Sequence, residues 1–122
     1  MAAHEQSESP KLTASMSAQQ KNRVLNDHLR NTRKGGIISI SLGIYMLGRT
    51  EVENILKRLG GPEGERSCET GSDHDSGEFL VNNRTIYWEI NYYNKEFDDL
   101  SSDSTDPAKT TRFMTLLLDS EL

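Results

Sequence analysis

Thr85-Ile86-Tyr87-Trp88-Glu89-Ile90-Asn91-Tyr92-Tyr93 decides the fold. Ile86, Trp88, Ile90 and Tyr92 alternate with Thr85, Tyr87, Glu89, Asn91 and Tyr93. Period-two alternation of β-branched and aromatic residues is the pattern of a half-buried strand. The stretch holds the single tryptophan and three of the four tyrosines. The core therefore forms on its Ile86/Trp88/Ile90 face, and helices are the natural cover for such a face.

Working outward, Phe79-Leu80-Val81 reads as a short strand turned back by Asn82-Asn83-Arg84, because asparagine tolerates left-handed conformations. On the other side, Arg112–Leu118 is a strand with Met114, Leu116 and Leu118 on one face and Phe113 and Leu117 on the other. Apolar groups on both faces suit an interior strand. Ile37–Ile44 alternates Ile38, Ile40, Leu42 and Ile44 with small residues and predicts the first strand.

Two helices are expected. The first opens on a Ser17/Gln20 capping box and stops at Gly35-Gly36, with Val24, Leu25, His28 and Leu29 as a narrow apolar stripe. The second opens on a Thr50/Glu53 capping box, carries Val52, Ile55, Leu56 and Leu59 on one face, and ends at Gly60-Gly61-Pro62. Asp106-Pro107-Ala108 predicts an N-capped helical turn, and Asp106 and Arg112 an ion pair across it. Asn26 and Arg30 share a helix face and read as an anchor for a loop. The expected architecture is α+β and two-layered, in the order α-β-α-β-β-β. It has a mainly antiparallel four-stranded sheet with two helices on one face. Residues 1–15 read as a disordered leader, with Met16 as an alternative start, and residues 16–122 as a single domain.

Composition narrows the chemistry. The chain has 122 residues, 34% of them apolar, and one cysteine. Cys68 alone excludes an internal disulfide framework and a cysteine-based zinc site, and no neighbouring histidine marks it as a nucleophile. The apolar runs are short, Ile44-Tyr45-Met46-Leu47 among the longest, so neither a membrane span nor a secretory signal is expected, and cytoplasm is the simplest compartment. Gly35-Gly36 and Gly60-Gly61 are helix stops, not phosphate cradles.

The net charge of −5 is divided unevenly. Residues 1–60 carry nine Lys/Arg against five Asp/Glu, and residues 61–122 carry five against fourteen. Two polar loops hold much of the acid: residues 62–77, with Glu63, Glu65, Glu69, Asp73 and Asp75, and residues 96–106, with Glu96, Asp98, Asp99 and Asp103 besides Asp106. These carboxylates, with Tyr87 and Tyr93 on the far strand face, are the expected contacts for a basic protein surface, such as that of a nucleic-acid-binding protein or complex. Lys21, Arg23, Arg30 and Arg33 could form a nucleic-acid face on the first helix. Asp27 interrupts them and no aromatics interleave, so a solvated helix surface and no direct nucleic-acid contact are expected.

Asp73-His74-Asp75 is the one compact cluster of metal-ligand types. Joined by Glu89 or Asn91 it would make a hydrolytic metal site, the alternative to an interaction protein. It lacks a second nearby histidine and the closing glutamate of a calcium loop. No cofactor is expected on the favoured reading.

Four stretches carry a resemblance: N-D-H-L-R (26–30), D-H-D-x-G (73–77), W-E-I-N-Y-Y-N (88–94) and D-P-A-K-T-T-R-F-M-T-L-L-L (106–118). Together, over residues 16–122, they resemble a small bacterial family of unknown function found on proteobacterial chromosomes, plasmids and phages. The family's strand reads more like W-x-I-D-Y-Y-D. Asn91 and Asn94 replace both acids here, so a metal-ligand role at those positions does not carry over. The resemblance implies no reaction. It implies a mobile-element setting, in which small acidic proteins often inhibit host defence machinery. The expectation is an inhibitor of the anti-CRISPR or anti-restriction type that binds through its acidic loops.

Overall fold

A computed structural model describes residues 10–122. Most of the leader expected over residues 1–15 lies outside the described residues.

The first helix, α1, is Ala18–Thr32 and opens on the expected capping box: Ser17 Oγ accepts from the Gln20 amide at 3.1 Å, and Gln20 Oε1 accepts from the Ser17 amide at 2.8 Å. It stops at Arg33, whose left-handed backbone (φ 63°) turns its N–H back to the Leu29 carbonyl. Gly36 is required by packing, since a Cβ there would lie 2.6 Å from the Arg112 carbonyl oxygen.

The first strand, β1, is only Ile37–Ile40. It does not continue to Ile44 as the alternation predicted. The Ser41 hydroxyl accepts from the Ile44 amide at 3.2 Å and starts a single helical turn, α2, Leu42–Tyr45. The switch of period buries Ile44 completely and leaves Leu42 in solvent.

Helix α3, Arg49–Leu59, starts at Gly48 with no side-chain cap, so the Thr50/Glu53 box is not formed. Glu53 instead pairs with Arg33 at 2.8 Å. A further short helix, α4, Pro62–Arg66, occupies the start of the expected loop, with proline in its first turn. Only glycine fits at position 64, where a Cβ would clash with the Leu59 carbonyl.

Strands β2 (Ser76–Val81), β3 (Arg84–Tyr93) and β4 (Thr111–Leu118) follow, then a 3-10 turn at Asp119–Glu121. Asn82 and Asn83 both hold positive φ, which makes the two-residue turn between β2 and β3. The sheet order is β1-β4-β3-β2. β2–β3 and β3–β4 are antiparallel, whereas β1 runs parallel to β4 with Ile37 opposite Phe113. The sheet is therefore mixed. A long connection separates β1 from β4, so nothing forces the antiparallel pairing that a hairpin would.

Among the described residues, the helices pack on the Ile86/Trp88/Ile90 face. Leu29, Ile44, Ile55 and Leu59 close on Ile86, Trp88, Ile90, Met114 and Leu116 in one core. Asp106 caps a single turn over residues 107–109, its carboxylate accepting from the Ala108 amide at 2.9 Å and its carbonyl from the Lys109 amide at 3.0 Å. The expected Asp106–Arg112 pair is absent among the described residues. Strand alternation turns Arg112 inward with Met114 and Leu116. No described helix is long and apolar enough to cross a membrane.

Candidate functional site: an inner polar seam and an outer acidic groove

Arg112 sits on the core face of β4 and is 3% exposed. Its Nε donates to Asn26 Oδ1 at 2.7 Å and its Nη2 to Asn22 Oδ1 at 2.9 Å. The two asparagines are one helical turn apart on α1, which lets both reach a single guanidinium. The guanidinium also lies 5.0 Å from the centre of the Tyr92 ring.

The Asn26 amide donates onward to the Asp73 carbonyl at 3.0 Å and to the Tyr92 hydroxyl at 2.9 Å. Tyr92 donates in turn to Asp75 Oδ2 at 3.2 Å. Burial is the main cause that pushes the Tyr92 phenol up to about 12, and the neighbouring Asp75 carboxylate adds to it.

Arg30 is the second buried guanidinium of the seam. It donates to the Leu59 carbonyl at 3.3 Å and to Asp27 Oδ1 at 3.0 Å. Asp27 also accepts from His74 Nδ1 at 3.0 Å, which fixes the proton on that nitrogen. The left-handed backbone of His74 (φ 60°) aims the ring at α1.

The four stretches that carried the resemblance thus meet in one place. Asn26 does anchor a loop, as its helix face predicted. Arg30 is not a solvated surface cation but is buried, whereas Arg33 is exposed and forms a surface pair with Glu53. The Asp73-His74-Asp75 side chains separate: Asp73 accepts from Asn22 at 3.1 Å, His74 meets Asp27, and Asp75 meets Tyr92. Glu89 and Asn91 alternate to the opposite sheet face from Tyr92, and although they border one pocket with Asp75, neither bonds to any of the three side chains. Among the described residues no three His, Cys, Asp or Glu groups gather as a metal site. Cys68 is half-buried, and burial pushes its thiol up, away from the thiolate form a nucleophile needs.

The expected partner contacts divide. Asp73 and Asp75 are turned into the seam, and Glu63 pairs with Arg58 at 2.9 Å. Glu65, Glu69, Glu96, Asp98, Asp99 and Asp103 are exposed. Several of these also shape their own loop: Asp98 accepts from Asn94 Nδ2 at 2.7 Å and Asp99 from the Leu100 amide at 2.8 Å. Asp103 accepts from the Thr105 hydroxyl and amide, which hold its carboxyl below the usual range. Tyr93 packs against Phe97 and Phe113, with ring centres 5.6 and 6.2 Å away.

Tyr87 has the more open setting. Across the sheet it faces Glu78 on β2 and Leu117 on β4, and beside it Glu89 faces Thr115. A groove of about 740 Å³ runs over these residues and is closed by Glu69 and Leu122. Among the described residues its lining holds three acidic side chains, Glu69, Glu78 and Glu89, and no Lys, Arg or His. Glu78 ends the acidic stretch that begins at Glu63, and Glu89 shares the strand face of Tyr87. Glu78 was legible in principle: once Asn82-Asn83 is fixed as the turn, it must face Tyr87.

Fold and site define a small α+β domain with a largely buried polar seam under its helices and an acidic groove on its open sheet face. Residues 42–121 match the family described as "Protein of unknown function (DUF3768)", and the chain belongs to that family. Helix α1, with its half of the seam, precedes the matched segment. Neither a curated protein nor a solved structure matches the chain.

Proposed function

We propose that this is a non-enzymatic interaction protein that holds a basic segment of a protein partner in the groove over Tyr87. The observation that carries the reading is the groove's composition among the described residues: three acidic side chains and no cation around Tyr87, Leu117 and Leu122. Lys and Arg lay long apolar stems on apolar surface while their charges seek carboxylates. Tyrosine gives large contact area at small entropic cost. The exposed carboxylates of the 96–106 loop extend the negative field beyond the groove.

A nucleic-acid-binding protein is the partner class of matching charge. Its basic groove is built for phosphates, and carboxylates seated there would exclude the nucleic acid. In the mobile-element setting implied by the resemblance, the product of such binding is inhibition of a host defence complex.

The test compares native mass spectra of wild type and of a Glu78→Lys/Glu89→Lys variant recovered from the same host. Both changes lie on an exposed sheet face, so the variant folds. The expected result is one stoichiometric basic partner that inhibition assays then follow, retained by wild type and lost by the variant. A partner held equally by both, or a lone chain in both, overturns the groove as the binding site.

A further inference from the structure

We propose that a separate small cavity beside Arg112 is a binding site for a compact tetrahedral oxyanion such as a phosphate group. The cavity has a volume of about 210 Å³ and is lined by Leu25, His28, Lys95, Pro107, Thr110 and Arg112, among others. A water occupies about 30 Å³ in the liquid, so a phosphate and a few waters fit.

Three observations independent of the acidic groove support it. First, Arg112 is buried with no carboxylate within ion-pair distance among the described residues. Buried charges are ordinarily paired, and two asparagine oxygens supply dipoles but no countercharge. Second, those asparagines take Nε and Nη2 only, and Nη1 has no hydrogen-bond partner among the described residues. It is not a fully occluded atom either, so it retains access to the cavity that Arg112 lines. Third, in a chain of net charge −5, the described residues of this lining, which begin at Pro10, include an arginine, a lysine and a histidine and no carboxylate. Lys95 forms no ion pair among the described residues, and the His28 ring has no hydrogen-bond partner among them. A phosphate placed there receives charge-assisted donors from Arg112 and Lys95 and a neutral donor from the imidazole.

The test is titration of the full chain with inorganic phosphate at constant ionic strength, balanced with sodium chloride. The expected result is a saturable rise in Tm. The His28 ring and Arg112 Nε–H resonances should move with the same midpoint. Phosphoserine serves as a second probe. Saturation by both places a phosphomonoester group in the cavity, whereas saturation by inorganic phosphate alone assigns a free-ion site; either supports the proposal. Arg112→Gln should abolish binding but also disrupts the two core hydrogen bonds to Asn26 and Asn22. Lys95→Gln and His28→Gln, at the cavity edge, keep the fold and should each raise the midpoint about fivefold. No saturation by phosphate, or a midpoint unchanged in both edge variants, overturns the proposal.

Discussion

Arg112 Nε donates to Asn26 Oδ1 at 2.7 Å across 86 residues of chain. That bond ties the helical layer to the sheet through a polar seam in the core. Asn26 is fully buried and serves Arg112, Tyr92 and the Asp73 backbone at once. It fixes the position of β4, β3 and the loop before β2 relative to α1.

Asn26→Ala should therefore cost far more than an average polar substitution. It leaves a buried guanidinium short of an acceptor and two acceptors short of a donor, about 3 kcal/mol in all. Urea unfolding followed by circular dichroism measures it. A loss under 1 kcal/mol would show that the seam is not a unit.

Tyr92 makes alkaline stability depend on one phenol. Its folded pKa of about 12 lies above the ordinary value of 10.0, so the native state holds this proton more tightly than the unfolded chain. The stabilisation is fully present below pH 10 and is lost as pH rises through 12. Absorbance titration of tyrosinate should show one late step near pH 12, and Tyr92→Phe should remove it.

Trp88 is 2% exposed and donates from Nε1 to Ser67 Oγ at 2.9 Å. As the single tryptophan it should emit at short wavelength and shift red on unfolding. Trp88→Phe loses that bond and leaves a void in the core, a destabilisation of about 2 kcal/mol. A native emission maximum typical of solvent-exposed indole would contradict the packing.

Glu121 fastens the C-terminus to α2. Its carboxylate accepts from Ser41 Oγ at 2.6 Å, from the Leu118 amide at 2.8 Å and from the Gly43 amide at 2.9 Å. These bonds, the Ser41 hydroxyl first, hold its carboxyl below the usual range. The clamp is present above the ordinary carboxylate pKa and is lost as pH falls through the depressed folded value. Glu121→Gln should speed hydrogen exchange at Gly43 and Leu118 at neutral pH. Unchanged protection at both amides would count against the clamp.

Association with a basic partner through the acidic groove should be salt-sensitive. Stopped-flow or surface-binding measurements should show the association rate falling about tenfold or more between low and high salt, with dissociation less affected. A rate flat in salt would point to an apolar interface instead.

The alternation Ile86/Trp88/Ile90 and the stripe Ile55/Leu59 were enough to place the core, because periodicity is a local property that burial then obeys. Asn82-Asn83 likewise fixed a hairpin and its register. The alternation over Ile37–Ile44 misled because Ser41 can cap a helix as readily as it can line a strand, and the sheet next to it decided between the two. The Thr50/Glu53 box failed because the helix has its N-cap two residues earlier, at Gly48, which places Thr50 inside the first turn and leaves Glu53 to pair with Arg33, 20 residues away in sequence.

By itself, then, the sequence determined the three strands of the antiparallel part, the two main helices, the face they share and the surplus of acid on the C-terminal half. Each follows from residues within a few positions of one another. Only the tertiary structure decided that β1 pairs parallel with β4, that Arg112 turns to Asn22 and Asn26, and that Asp73, His74 and Asp75 part company. It also decided that Glu69, Glu78 and Glu89 surround one groove. Those outcomes depend on which polar groups are desolvated together, and a buried charge takes the nearest acceptor in space, whatever its distance along the chain.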